Sequence, residues 1–70
     1  MRIEITREIA GDKIEYRATV DEPLDELGKR TFIIDDLKIL FGWLKEMREL
    51  CRTFGEGFEV VRKPTQQRLF

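Results

Sequence analysis

Residues 35–55 carry the strongest constraint in this chain. They open with Asp35 and Asp36, run on as LKILFGWLKEMRELCRTF and stop at Gly55. Leu37, Leu40, Phe41, Leu44, Met47, Cys51 and Phe54 recur at spacings of three and four, the period of one helix face. Asp35 or Asp36 can accept from the free N–H groups of a first helical turn, and both suit the positive end of the helix dipole. Arg48 and Arg52 suit the opposite end, and Gly55 suits the left-handed residue just past it. One long amphipathic helix is therefore expected. Ile39, Trp43 and Leu50 are apolar as well and widen the stripe to an arc of about 200° at about 100° per residue. A helix resting on one small sheet needs an arc of roughly 100° or a little more. Loops can cover the surplus, or Ile39, Trp43, Met47 and Leu50 can meet a second copy or another protein, with Trp43 as an aromatic anchor. Gly42, which costs about 1 kcal/mol in a helix interior relative to Ala, is either tolerated or lets another backbone come close.

The rest of the chain reads as strands that cover this helix. Residues 2–9 alternate, with Ile3, Ile5 and Ile9 on one side; residues 13–20 alternate with Ile14, Tyr16, Ala18 and Val20. Ala10-Gly11-Asp12 between them is a turn signal. Parity sets the register, because a slip of one residue turns a strand over. A two-residue loop at Gly11-Asp12 pairs Ile9 with Ile14, Ile5 with Ala18 and Ile3 with Val20, puts Arg7 beside Tyr16 at the edge of the apolar face, and sets Glu8 against Glu15. Lys13 and Arg17 ease that like-charged pair. The outer face then carries mixed charge and no aromatic platform for bases, and reads as solvated. Residues 21–28 form a connector in which Leu24 and Leu27 pin one short helical turn, with Pro23 at its start and Gly28 at its end. Residues 30–34 make a third strand and residues 58–63 a fourth, ended by Pro64. The expected fold is α+β: a small three- to four-stranded, mostly antiparallel sheet in the order β-β-β-α-β, packed on one long helix. Residues 1–63 form a single small domain, and 64–70 are a flexible C-terminal tail.

Composition bounds function. Seventy residues allow one domain and a small core, and a core of this size rarely supplies more than about 3–5 kcal/mol unaided. Cys51, the single cysteine, reads as a buried free thiol, which suits a reducing compartment. With no histidine, zinc is excluded as a structural staple, and association remains the source of extra stability. Asp21, Glu22, Asp25, Glu26, Asp35 and Asp36 match no calcium-loop spacing and serve capping and solubility; no metal or cofactor is expected. No nucleophile is set with a base and no glycine-rich phosphate loop is present, so no enzymatic activity is expected. The start of the chain has no apolar run, and no stretch approaches the roughly 20 apolar residues of a membrane span; a soluble cytoplasmic protein is expected. High charge with no Asn is a composition of thermophile proteins.

Two modes of binding follow. The first is protein–protein contact, with homodimerisation through the helix, in an adaptor, inhibitor or regulator. The C-terminal residues 63–70, KPTQQRLF, resemble the short peptides by which replication and repair proteins bind a sliding clamp, with Gln66, Leu69 and Phe70 in the places of the glutamine, the aliphatic and the aromatic. The chain lacks the second aromatic of the archaeal and eukaryotic form and has Gln67 where the bacterial form prefers Leu. The resemblance implies a tail that seats Leu69 and Phe70 in an apolar pocket. The second mode is nucleic-acid binding through Arg17, Arg62, Lys63 and Arg68, weakened by a net charge of −1.

Overall fold

The computed structural model describes residues 1–22, 26 and 28–68, with Arg68 described by its backbone alone. Its elements are β1 (Arg2–Ala10), β2 (Lys13–Val20), β3 (Thr31–Ile34), α1 (Leu37–Thr53), β4 (Glu59–Arg62) and β5 (Gln66–Arg68). The short helical turn expected at Leu24 and Leu27 lies outside the described residues.

The hairpin has the register that parity dictates. Ile3 faces Val20, Ile5 faces Ala18, Arg7 faces Tyr16, Glu8 faces Glu15 and Ile9 faces Ile14. Gly11 takes a φ of 64°, a turn conformation that costs glycine little. The far end of the ladder is closed by Asp21, whose Oδ1 accepts from the Arg2 amide at 3.1 Å.

The strands run β3-β2-β1-β4, with β5 beyond β4 on the same side of β1. The pairs β1–β2 and β2–β3 are antiparallel, whereas β4 and β5 both run parallel to β1. Such mixed pairing follows from the connection. The chain leaves β3 at one edge, crosses two strands as α1 and returns at the other edge, where the direction of travel is repeated. The sheet also extends further than the sequence suggests. Residues 64–70 read as a tail outside the fold, yet Gln66–Arg68 continue the sheet against Glu8–Ala10. β1 is nine residues long and β4 covers only Arg2–Ile5 of it. The remaining edge would expose unpaired backbone groups, which the resumed strand satisfies. Pro64, which has no N–H, marks the break between the two segments.

Helix α1 begins and ends on sequence signals. Asp36 is the N-cap, and its Oδ1 accepts from the Lys38 and Ile39 amides at 2.7 and 3.3 Å. At the C-terminus Glu56 N–H reaches the Cys51 carbonyl and Gly55 N–H the Arg52 carbonyl. This is the double bond pattern of a Schellman stop, with Gly55 at φ 69°.

The core is small. Ile3, Ala18 and Val20 of the sheet are fully buried, with Leu40 and Cys51 of the helix. Met1, Ile5, Phe32, Trp43, Leu44, Met47 and Phe58 pack around the sheet residues. Cys51 is a free buried thiol, 3.9 Å from the Met1 sulfur. The outer face, expected to be solvated throughout, holds one buried acid. Glu8, with β2 on one side and β5 on the other, is 5% exposed and pairs with Arg17. Arg17 thus offsets the Glu8–Glu15 repulsion, since a desolvated carboxylate needs a charged or hydrogen-bonding partner.

The energetics concentrate on a few side chains. Ile3→Ala, at the fully buried centre, costs about 2–5 kcal/mol, the range for truncating a large core aliphatic. In a domain worth only about 3–5 kcal/mol that change leaves a large unfolded population. Chemical denaturation measures it; a loss under about 1 kcal/mol contradicts this account of the core.

Candidate functional site

The helix is wider than the groove it fills. At about 100° per residue, Leu40 and Cys51 mark the middle of its apolar arc, and these two are its buried residues. Leu44 and Met47 lie close beside them and are half-buried. The arc then runs past the core on both sides.

On the β3 side, Trp43 tilts against Phe32 with ring centroids 5.3 Å apart, and Lys29 sits over the Phe32 ring at 4.8 Å. Beyond Trp43, Ile39 is 60% and Leu50 42% exposed. The four residues expected at an interface therefore divide. Trp43 and Met47 belong to the packed cluster, and Ile39 and Leu50 stand outside it. The physical reason is where the arc is centred. Leu40 and Cys51 define the contact line, and Trp43 and Met47 fall within about 60° of its middle while Ile39 and Leu50 fall about 100° away.

On the β1–β4 side, Leu37 is 46% and Phe41 55% exposed, although both were expected on the inner face. Phe54, expected there too, is the C-cap residue and is mostly exposed. Leu37 and Phe41 stand at the mouth of a cleft of about 410 Å³ between helix and sheet. Its floor is Ile5, Leu40 and Leu44; Val60 lies across from the helix, and Tyr16 and Thr65 add polar groups. Three cations complete the lining: Arg7, Arg62 and Lys63. Pairing explains why arginines stand on an apolar face. Arg7 is opposite Tyr16, and Arg62 opposite Ile5, so both share the helix-facing side of the sheet. Lys63 is tied to Glu4 at 3.5 Å. Among the described residues Arg7 and Arg62 make no ion pair.

The basic residues expected to hold nucleic acid do not form one surface. Arg17 is on the outer face against Glu8. Arg62 faces the helix, Lys63 leaves the sheet beside it, and the Arg68 side chain is outside the described residues. Of the tail motif, Gln66 is exposed within β5 opposite Glu8, and Leu69 and Phe70 lie outside the described residues. Among the described residues no three acidic or thiol groups gather as a metal site requires, and no helix is long and apolar enough to cross a membrane.

Sequence reasoning missed the cleft. Its one local signal was Arg7 at an inward position of β1; Arg62 joins it only once β4 is known to pair with β1. No family model, curated protein or solved structure matches the chain.

The division of the helix arc has a direct energetic consequence. Trp43→Ala removes packing against Phe32 and costs roughly 2 kcal/mol, below the about 3–5 kcal/mol of a fully buried aromatic because Trp43 is half-buried. Ile39→Ser and Leu50→Ser, at exposed positions, stay within about 0.5 kcal/mol. Denaturant midpoints at low protein concentration test this; equal losses at Trp43 and Ile39 contradict the assignment.

Proposed function

We propose that this chain is a small non-enzymatic protein-binding module, an adaptor, inhibitor or regulator, which self-associates through the β3-side flank of α1. The observation that carries the reading is the exposure of Ile39 and Leu50 on a helix that has already filled its own sheet. These residues are eleven apart, three helical turns, and lie on nearly one line along the axis. Lys38 and Glu49 have the same spacing and are exposed beside them. An antiparallel pairing about a two-fold axis sets Ile39 of one copy near Leu50 of the other, and Lys38 near Glu49, each twice. Glu46, exposed and within about 40° of this line, meets its own copy there, so the two Lys38–Glu49 pairs outweigh one like-charged contact in the isologous dimer. Gly42 sits next to this line near the middle of the helix, and the space at its missing side chain is empty within 4 Å. A second backbone can approach there, and this offsets the cost of about 1 kcal/mol that glycine brings to a helix interior.

The association is weak by construction. Full burial of an Ile or Leu is worth about 1.5–3 kcal/mol, and here the side chains are already partly covered. Four of them set against the cost of association give a dimer weaker than about 1 μM.

Sedimentation velocity across a concentration series tests the proposal. The native chain shifts reversibly from monomer to dimer. Lys38→Glu weakens the dimer, and adding Glu49→Lys restores it, because the charges are exchanged across the two-fold. A native chain that stays monomeric into the millimolar range overturns the reading. So does a dimer indifferent to both Ile39→Asp and the charge exchange.

A further inference from the structure

The cleft on the other flank asks for a different occupant. Among the described residues its lining carries Arg7, Arg62 and Lys63 and no acidic residue. A second copy laid on it about a two-fold axis would set cation against cation, so this flank, unlike the Ile39–Leu50 flank, is not self-complementary. We propose that the cleft binds a single-chain amphiphile with a carboxylate head, that is, a fatty acid. The apolar chain lies along Ile5, Leu40 and Leu44 under the rim made by Phe41, and the carboxylate meets the guanidinium groups of Arg7 and Arg62.

Three observations carry this assignment. The volume, about 410 Å³, falls in the range of small-ligand pockets, about 300–1,000 Å³. Six apolar side chains line it beside five polar ones, so it offers both a surface for an apolar chain and groups that orient a polar head. The charge is of one sign, and the two arginines that supply it form no ion pair among the described residues. Arginine presents a planar fork of donors that matches a carboxylate in two parallel hydrogen bonds. An arginine at an inward position of β1, where Ile3 and Ile5 are the neighbours on that face, is a poor choice for packing alone. It is a good choice for holding an anion at the end of an apolar trough. Tyr16, paired with Arg7 across the hairpin, adds a hydroxyl on the same side. The proposal stands apart from self-association, since it uses the opposite flank of the helix.

The test uses the intact chain and dodecanoate below its micellar concentration, followed by calorimetry and by amide chemical-shift changes. Dodecanoate saturates one site per chain, with the largest shifts at Ile5, Leu40, Leu44 and Arg62. Dodecyltrimethylammonium, with the same tail and a cationic head, binds at least tenfold more weakly, and this comparison needs no variant. Arg7→Gln with Arg62→Gln, both exposed positions, weakens dodecanoate by about tenfold or more, the scale for losing charge-assisted hydrogen bonds, and leaves the circular dichroism spectrum unchanged. Equal affinity for the two head groups overturns the proposal, as does binding that does not saturate or shifts spread over the Ile39–Leu50 flank. An acidic, leucine-bearing peptide that displaces dodecanoate and binds more tightly also overturns it, by making the occupant a protein segment.

Discussion

The structure depends on the contact between a narrow sheet face and a helix whose apolar surface is broader than that face. The sheet offers Ile3, Ala18 and Val20 as a fully buried strip, flanked by Ile5, Phe32 and Phe58. The helix answers with the line through Leu40 and Cys51. On the β3 side exposure follows angular distance from that line: Met47 and Trp43 are partly shielded, and Ile39 and Leu50, near 100°, stand in solvent, whereas Leu37 and Phe54, within about 60° of it, are exposed at the two ends of the helix. Among the described residues no second layer covers them.

The asymmetry of the sheet turns this surplus into two unlike surfaces. On the β3 side the sheet stops at a four-residue edge strand, Trp43 folds onto Phe32, and the apolar line beyond it is bordered by Lys38 and Glu49, one of each sign. On the β4 side the sheet continues past the helix. Because β4 pairs with β1 in parallel, Arg62 is carried to the same face as Ile5, and a cleft opens between strand and helix with cations at its rim. One helix thus presents a self-complementary line on one flank and a trough of one charge on the other. The charge pattern, rather than the apolar content, is what distinguishes the flank proposed for a second copy from the one proposed for an anionic occupant.

Much of this was legible from residues in order. The hairpin register follows from parity and the turn together: parity keeps Ile3, Ile5, Ile9, Ala18 and Val20 on one face, and the two-residue loop at Gly11-Asp12 chooses among the registers that do so. The helix ends follow from Asp36 and Gly55, whose capping roles are local chemistry. What was not legible depends on contacts distant in sequence. The excess width of the arc could be counted, but its centre could not be located, so Trp43 and Met47 were placed with Ile39 and Leu50. Pro64 was read as the end of the sheet because proline ends a ladder locally; that the chain then resumes against Glu8–Ala10 depends on how much of β1 was left uncovered. Glu8 was placed in solvent for the same reason. The cleft needed the β1–β4 register before Arg7 and Arg62 could be seen together.

The central question for the molecule is which helix side chains meet water in one copy and whether a second copy covers Ile39 and Leu50. Methyl and aromatic NMR signals, recorded with a soluble paramagnetic probe at low and at high protein concentration, report this for each residue. In dilute solution the probe should broaden Ile39, Leu50, Leu37 and Phe41 strongly and leave Ile3, Val20 and Leu40 sharp; in concentrated solution Ile39 and Leu50 should become protected while Leu37 and Phe41 stay accessible. Protection of Ile39 and Leu50 at every dilution, or equal protection of both flanks on concentration, would contradict the proposed division of the helix surface.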